Sequence, residues 1–189
     1  MGYRSLQSQL VGGKLERGLV HVYTGDGKGK TTAALGVSLR ALGWGLRVCV
    51  VQFIKGYLDT GEMKIAERFP GQYVIKQFAT DPICYIDETK AKQRREECEV
   101  AMRYAEEVVG SGEFDVVVLD EINNAMAYKL VDIERALALI REKPEHVELV
   151  LTGRRAPKEI IDAADYATEM TPIKHPFDKD IPARAGIDY

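Results

Sequence analysis

The run Thr24-Gly25-Asp26-Gly27-Lys28-Gly29-Lys30-Thr31-Thr32 follows an apolar segment, Leu19-Val20-His21-Val22-Tyr23, and opens a stretch with helical spacing, Ala33-Ala34-Leu35-Gly36-Val37-Ser38-Leu39. Strand, glycine-rich turn and helix start is the setting of a phosphate-binding loop. Glycines let successive backbone N–H groups face one anion, and the positive end of the new helix points at the same place. Lys30 supplies a mobile charge for the outer phosphates, and Thr31 a hydroxyl for Mg²⁺. The usual pattern, G-x-x-x-x-G-K-[ST], would put glycine where Thr24 stands. The alternative is a glycine-rich turn without a ligand. Glycine at 25, 27 and 29 ahead of Lys-Thr-Thr favours a triphosphate site over that turn.

Strands and helices alternate outward from this loop. The first helix runs to about Leu42 and stops at Gly43-Trp44-Gly45. Val48-Cys49-Val50-Val51 is apolar without polar alternation, as in a strand covered on both faces. A short helix over 61–68 and a strand over 73–78 follow, then a loop from Ala79 to Asp87 and a long charged helix from Glu88 to Val109. Arg94-Arg95-Glu96-Glu97 on that helix reads as a solvated face of i,i+4 pairs. Val116 to Leu119 is a further buried strand, residues 132–141 an amphipathic helix, and Val147 to Leu151 another strand. Pro157 opens a helix to about Ala164, and Tyr166 to Met170 reads as a last strand. The expected fold is α/β, one domain built on a mostly parallel central sheet with helices on both faces. Residues 1–18 form an N-terminal arm, with weak apolar spacing at Leu6 and Leu10 that allows a helical turn or two ending at Gly12, and a possible lid over the site. Residues 19–172 form the nucleotide-binding domain, and 173–189 a C-terminal tail packed on it.

Composition narrows the class. The chain has 189 residues, 46% apolar and 29% charged, with a net charge of −3, so no basic field advertises nucleic acid or anionic lipid. Cys49, Cys84 and Cys98 form no C-x-x-C pair, which argues against a disulfide framework or zinc knuckle. No apolar run approaches the roughly 18 residues of a membrane span, and the N-terminus lacks a signal-peptide core. A cytoplasmic protein is expected.

Asp120-Glu121 follows a buried strand, where ligands gather in open parallel sheets. One carboxylate can hold Mg²⁺ while the other orients water or completes the metal shell; a turn or N-cap role is the competing reading. Two carboxylates beside a triphosphate repel it unless a cation intervenes, so the pairing implies Mg²⁺ or Mn²⁺. Lys55, Arg154 and Arg155 also follow buried strands and are candidates for neutralising phosphate charge, or are solvated surface cations. Taken alone, these features define an ATP- or GTP-dependent enzyme and leave its reaction open. A P-loop ATPase, a small-molecule kinase and an ATP-gated binding module all fit.

Several segments together resemble one family, the P-loop corrinoid adenosyltransferases. They are Gly25-Asp26-Gly27-Lys28-Gly29-Lys30-Thr31-Thr32, Val51-Gln52-Phe53-Ile54-Lys55-Gly56, Val118-Leu119-Asp120-Glu121, Leu151-Thr152-Gly153-Arg154, Lys174-His175-Pro176-Phe177-Asp178 and Ala185-Gly186-Ile187-Asp188-Tyr189. The family also carries Thr where Thr24 stands. The resemblance implies a RecA-like P-loop domain that transfers the 5′-deoxyadenosyl group of ATP to the cobalt of a reduced corrinoid, releasing triphosphate. It further implies a nucleotide lying reversed in the loop, held by Thr24 to Thr32 and Arg154. Lys30 would clamp phosphate, and Thr31 and Glu121 would ligate Mg²⁺ with Asp120 in support. The acceptor would be cob(I)alamin or cob(I)yrinic acid a,c-diamide, the reductant a flavin or flavoprotein, and the assembly a homodimer. Family members place aromatics near the lower cobalt face. Here Phe53, Tyr57, Phe78 and Tyr85 are the candidates to face the corrinoid, with Ile54 and Ile83 as further apolar candidates, and no Trp stands in the loop from Ala79 to Glu88.

Overall fold

In the computed structural model, which describes residues 10–11, 13–56, 59–80 and 88–189, the apolar runs become the strands of one sheet. Its strands are β3 (Val20–Thr24), β4 (Val48–Gln52), β5 (Tyr73–Gln77), β6 (Val116–Asp120), β7 (Glu148–Thr152) and β8 (Tyr166–Glu169), in the order β5-β4-β6-β7-β3-β8. Every neighbouring pair in it is parallel. A separate two-stranded hairpin, β1 (Leu10–Val11) and β2 (Lys14–Leu15), precedes it.

Alternation along each strand divides the core in two. Cys49, Val51, Val117, Leu119, Leu149 and Leu151 face one side, packed against helices α3 (Glu88–Ser111), α4 (Ile122–Ala127), α5 (Ile133–Glu142) and α6 (Lys158–Asp162). Val48, Val50, Val116, Val118 and Val150 face the other, under α1 (Lys30–Gly43) and α2 (Gly61–Ala66). Both faces are thus covered, which is why these strands read as unbroken apolar runs. The chain leaves β3 for β4 across two intervening positions, builds outward to β5, and returns through β6 and β7. The crevice at that reversal is where a parallel sheet binds ligands.

The registers bring the strand ends together. Gln52 pairs with Asp120 and with Gln77, Tyr23 with Thr152, and Leu119 with Leu151. A polar row therefore crosses the carboxyl edge of an otherwise apolar sheet.

Three sequence expectations change. Leu10–Val11 and Lys14–Leu15 pair as strands where the end of a helical turn was expected, Leu10 with Leu15 and Val11 with Lys14, with Gly13 at φ +85°; Leu6 and Gly12 lie outside the described residues. Glycine at φ > 0 suits the twist of a tight hairpin, and Gly13 supplies it. Lys14 Nζ donates to the Gly112 carbonyl at 2.8 Å, tying this segment to the sheet end opposite Asp120. Arg94 is buried, 2% exposed, instead of solvated. Its guanidinium donates to Glu97 Oε2 at 2.7 Å, and Gln93 and Thr80 hold Glu97 Oε1 at 2.9 and 2.8 Å. That network, which joins Thr80 to the first half of α3, supplies the partners a buried charge needs. Finally, Phe53 is fully buried. Its N–H donates to the Asp120 carbonyl at 3.1 Å, extending the ladder past β4, so Phe53 continues the core-facing series of Cys49 and Val51.

Candidate active site

The loop Gly25–Gly29 owes its glycines chiefly to a close neighbour. A Cβ on Gly25 would lie 2.5 Å, and one on Gly27 2.7 Å, from the Met170 carbonyl oxygen. Gly27 N–H donates to that oxygen at 2.6 Å, and Met170 N–H to the Thr24 carbonyl at 2.8 Å. The segment after β8 thus backs the loop. Thr24 has its own task, since its hydroxyl accepts from Ala156 N–H at 3.1 Å and ties the β7–α6 connection to the loop. This accounts for a side chain where the common pattern has glycine.

Anion binding falls to the start of α1. Gly29 caps the helix at φ +125° with no side-chain cap, and no acidic residue stands in the first turn. The first amides of a helix have no intrahelical partners and attract anions. Lys30 is buried, and its Nζ donates to the Gly27 carbonyl at 2.7 Å. Burial lowers its pKa, against the pull of Glu121, Asp26 and Asp120.

Asp120 is wholly buried and receives three side-chain donors. Thr31 and Thr152 hydroxyls reach Oδ1 at 2.8 and 2.7 Å, and Gln52 Nε2 reaches Oδ2 at 3.2 Å. Thr152 Oγ in turn accepts Glu121 N–H at 3.0 Å. Glu121 sits in the left-handed region at φ +67°, a costly conformation for a non-glycine residue and one that turns its carboxylate off the strand. Burial and the Asp120 charge push its carboxyl up to about 7, while Lys30, Lys55 and Arg154 pull it down. Lys55 Nζ donates to Glu62 Oε1 at 3.0 Å, and Gln52 Nε2 lies 3.3 Å from the same oxygen. Burial opposes the Lys55 ammonium, but Asp120 and Glu62 prevail and raise its pKa.

Thr152→Val tests this scaffold. The swap keeps shape, strips one donor from buried Asp120 and orphans Glu121 N–H. Unfolding free energy is expected to fall by about 1–3 kcal/mol, measured by urea denaturation.

Gly153, at φ +129°, lets α4 close in: a Cβ there would lie 2.8 Å from Asn124 Oδ1. Asn124 Oδ1 accepts Arg154 N–H, and the Arg154 guanidinium lies 3.8 Å from Asp26. Lys28 pairs with Asp188 of the tail at 2.7 Å. These groups surround a cleft of ≈ 680 Å³, lined by Asp26 to Thr32, Lys55, Glu62, Glu121, Arg154 and the tail. Its apolar wall includes Leu35, Leu39, Ile65, Phe69, Phe177 and Ile187.

Among the sequence candidates, the loop residues Asp26 to Thr32, Glu121, Arg154 and Lys55 converge on the cleft, with Asp120 beneath them. Thr24 and Gly25 face a second hollow behind the loop, together with Arg155. Phe53 lies in the core, and Phe78 packs on Tyr104 at 5.4 Å between ring centroids, half-buried against the same core. Neither faces the cleft, because both continue the core-facing alternation of their strands. Ile54 is buried in the core as well. Tyr57, Ile83 and Tyr85 lie outside the described residues. Sequence reading missed Gln52, Glu62 and Thr152 as individuals; polar residues ending apolar strands were the available signal. No group of three or more His, Cys, Asp or Glu side chains among the described residues forms a metal cage. No helix among them is long and apolar enough to cross a membrane.

Fold and site together define a P-loop nucleotide-binding protein of the α/β class, with one strand between the phosphate-loop strand β3 and the carboxylate strand β6. The chain matches the family described as ATP:corrinoid adenosyltransferase BtuR/CobO/CobP over residues 16–189 and belongs to it. It is 36% identical over 176 residues to a corrinoid adenosyltransferase of Escherichia coli (strain K12), covering 92% of this chain and 87% of the relative. It is 37% identical over 175 residues to the corrinoid adenosyltransferase CobA of Salmonella typhimurium (strain LT2), covering 92% of this chain and 87% of the relative. A corrinoid adenosyltransferase of Sinorhizobium sp is 39% identical over 176 residues, covering 92% and 81%.

Proposed function

We propose that this protein transfers the 5′-deoxyadenosyl group of ATP to the cobalt of a reduced Co(I) corrinoid and releases triphosphate. Family membership across nearly the whole chain carries the reading, and the cleft supplies what the chemistry needs. Co(I) gives its electron pair to C5′, the C5′–O bond breaks, and that bonding pair leaves on the triphosphate. The nucleophile needs no proton removed, so the protein's work is positioning and charge stabilisation. Lys30 and the opening amides of α1 hold the departing phosphates. Arg154 stands across the loop mouth, and Lys55 adds positive charge near Glu121.

Mg²⁺ or Mn²⁺ fits the donor set. The Thr31 hydroxyl donates a hydrogen bond to Asp120 and keeps its lone pairs free, and Glu121 carries a carboxyl whose neighbouring negative charge a cation would relieve. Thr31 and Glu121 would hold the ion, with Asp120 orienting Thr31 from below; few protein ligands plus phosphates and water is the habit of Mg²⁺. When bound, the ion neutralises charge gathering on the leaving group. The same reading includes a nucleotide with C5′ toward the Glu121 end, a homodimer, a flavin or flavoprotein electron source and a cytoplasmic setting.

One anaerobic assay tests the reaction: chemically reduced cobalamin with Mg-ATP, followed by visible spectrum and phosphate products. The expected result is a Co–C bond with one triphosphate per turnover. ADP or orthophosphate would instead mark an ATPase or kinase, and binding without a Co–C bond an ATP-gated corrinoid-binding module.

A further inference from the structure

The tail places one carboxylate between two cations at the rim of the phosphate loop. Asp188 Oδ1 meets Lys28 Nζ at 2.7 Å, and Oδ2 accepts from Arg184 N–H at 2.9 Å and from Arg184 Nε at 3.2 Å. All three residues line the cleft. Two oxygens on one centre, each facing a cationic side chain, is also how a phosphate would sit between them.

The turn carrying these groups closes without the carboxylate. Asp188 N–H donates to the Arg184 carbonyl at 2.8 Å, and Gly186 N–H to the Tyr189 carbonyl at 2.8 Å. The Asp188 carboxylate can therefore swing off both cations while the backbone bonds of the turn keep Arg184 at the rim. Little packing opposes such a shift: Ile173 is 94% and Phe177 77% exposed. A carboxylate facing the site of a polyanion is unfavourable unless it serves before the anion arrives.

We propose that Lys28 and Arg184 form a subsite for the terminal phosphate of the triphosphate, and that Asp188 holds both cations as an internal anion until that phosphate displaces it. The subsite rests on the nucleotide direction proposed above, with C5′ toward Glu121 and the far phosphate at the Lys28 rim. Its ligand class is an inorganic or nucleoside polyphosphate with a free terminal group. Re-pairing of Asp188 with Lys28 then competes with the product and assists its release.

Calorimetric titration of the full chain with inorganic tripolyphosphate, at fixed ionic strength, tests this. Asp188→Asn keeps the backbone turn and removes the competing charge, so tripolyphosphate is expected to bind about fivefold tighter than to the unmodified protein. Unchanged or weaker binding would overturn the proposal and leave Asp188 as a mere fastener of the tail. Arg184→Gln provides an independent reading: binding about three- to fivefold weaker, with a shallower salt dependence, is expected. Equal affinity would overturn the subsite as well. Adenosine is expected to bind all three proteins alike, and a parallel change in adenosine affinity would point to general disorder of the cleft and against a phosphate subsite. The product assay on the unmodified protein separates the two claims. Triphosphate release together with a failed Asp188→Asn result removes only the subsite, whereas ADP as product removes the nucleotide direction.

Discussion

Lys30→Ala is expected to lower kcat/KM for adenosyl transfer by about 10²–10³, the range for losing one preorganised donor to a developing anion. The loss should fall mainly in kcat. The C5′–O bond breaks with charge passing onto triphosphate, and a contact that strengthens as that charge grows belongs to the transition state. Stability should move the other way or not at all. Burial lowers the Lys30 pKa, so the charged side chain is less comfortable folded than unfolded, and removing it takes away that cost. The Gly27 carbonyl loses a partner, a modest offset. The expected pattern is thus a large kinetic loss with a melting temperature held or slightly raised. Full activity in Lys30→Ala would exclude the clamp, and a collapsed melting temperature would show that Lys30 chiefly supports the fold.

Much of this arrangement was legible in the chain because buried parallel strands have a plain signature. Val48 to Val51 and Val116 to Leu119 contact helices on both faces, so neither shows polar alternation. The loop was legible for a related reason, as few contexts combine spaced glycines, lysine and threonine between strand and helix. What the glycines touch was not. Gly25 and Gly27 answer to Met170, more than 140 residues away, and long-range approach leaves no local mark. The short α4 escaped notice because six residues following a left-handed Glu121 give too little periodicity. Phe53 and Phe78 were misplaced for a subtler cause. The family's use of aromatics near cobalt points to them, but each backbone continues the ladder one residue past its strand, through Phe53 N–H to Asp120 and Phe78 N–H to Gln52. The side chains therefore obey the strand's alternation and enter the core. Arg94 departs from its solvated reading because a charged cluster on a helix does not show which of its members turns inward to a carboxylate such as Glu97.

The metal requirement proposed above is expected to depend on pH through Glu121. Its carboxyl is raised to about 7 by burial and by Asp120, so near pH 6 a cation must displace a proton to bind. Apparent Mg²⁺ affinity, taken from the metal dependence of the rate, should fall toward tenfold per unit as pH drops below about 7 and level off above it. Glu121→Gln should weaken the metal requirement's affinity by at least about tenfold, abolish that slope, and change the corrinoid KM far less. Stability of the metal-free protein carries the opposite sign. The folded state holds a proton over a window in which the unfolded chain has released it, so stability falls as pH rises from the ordinary glutamate range toward 7. Glu121→Gln should flatten this trend too. The two expected readouts share one group and run in opposite directions: raising pH should strengthen the proposed metal site while weakening the metal-free fold. A rate effect without the stability trend would place the titrating proton on substrate instead of Glu121. A metal dependence equally flat in both proteins from pH 6 to 8 would remove Glu121 from the metal's coordination altogether.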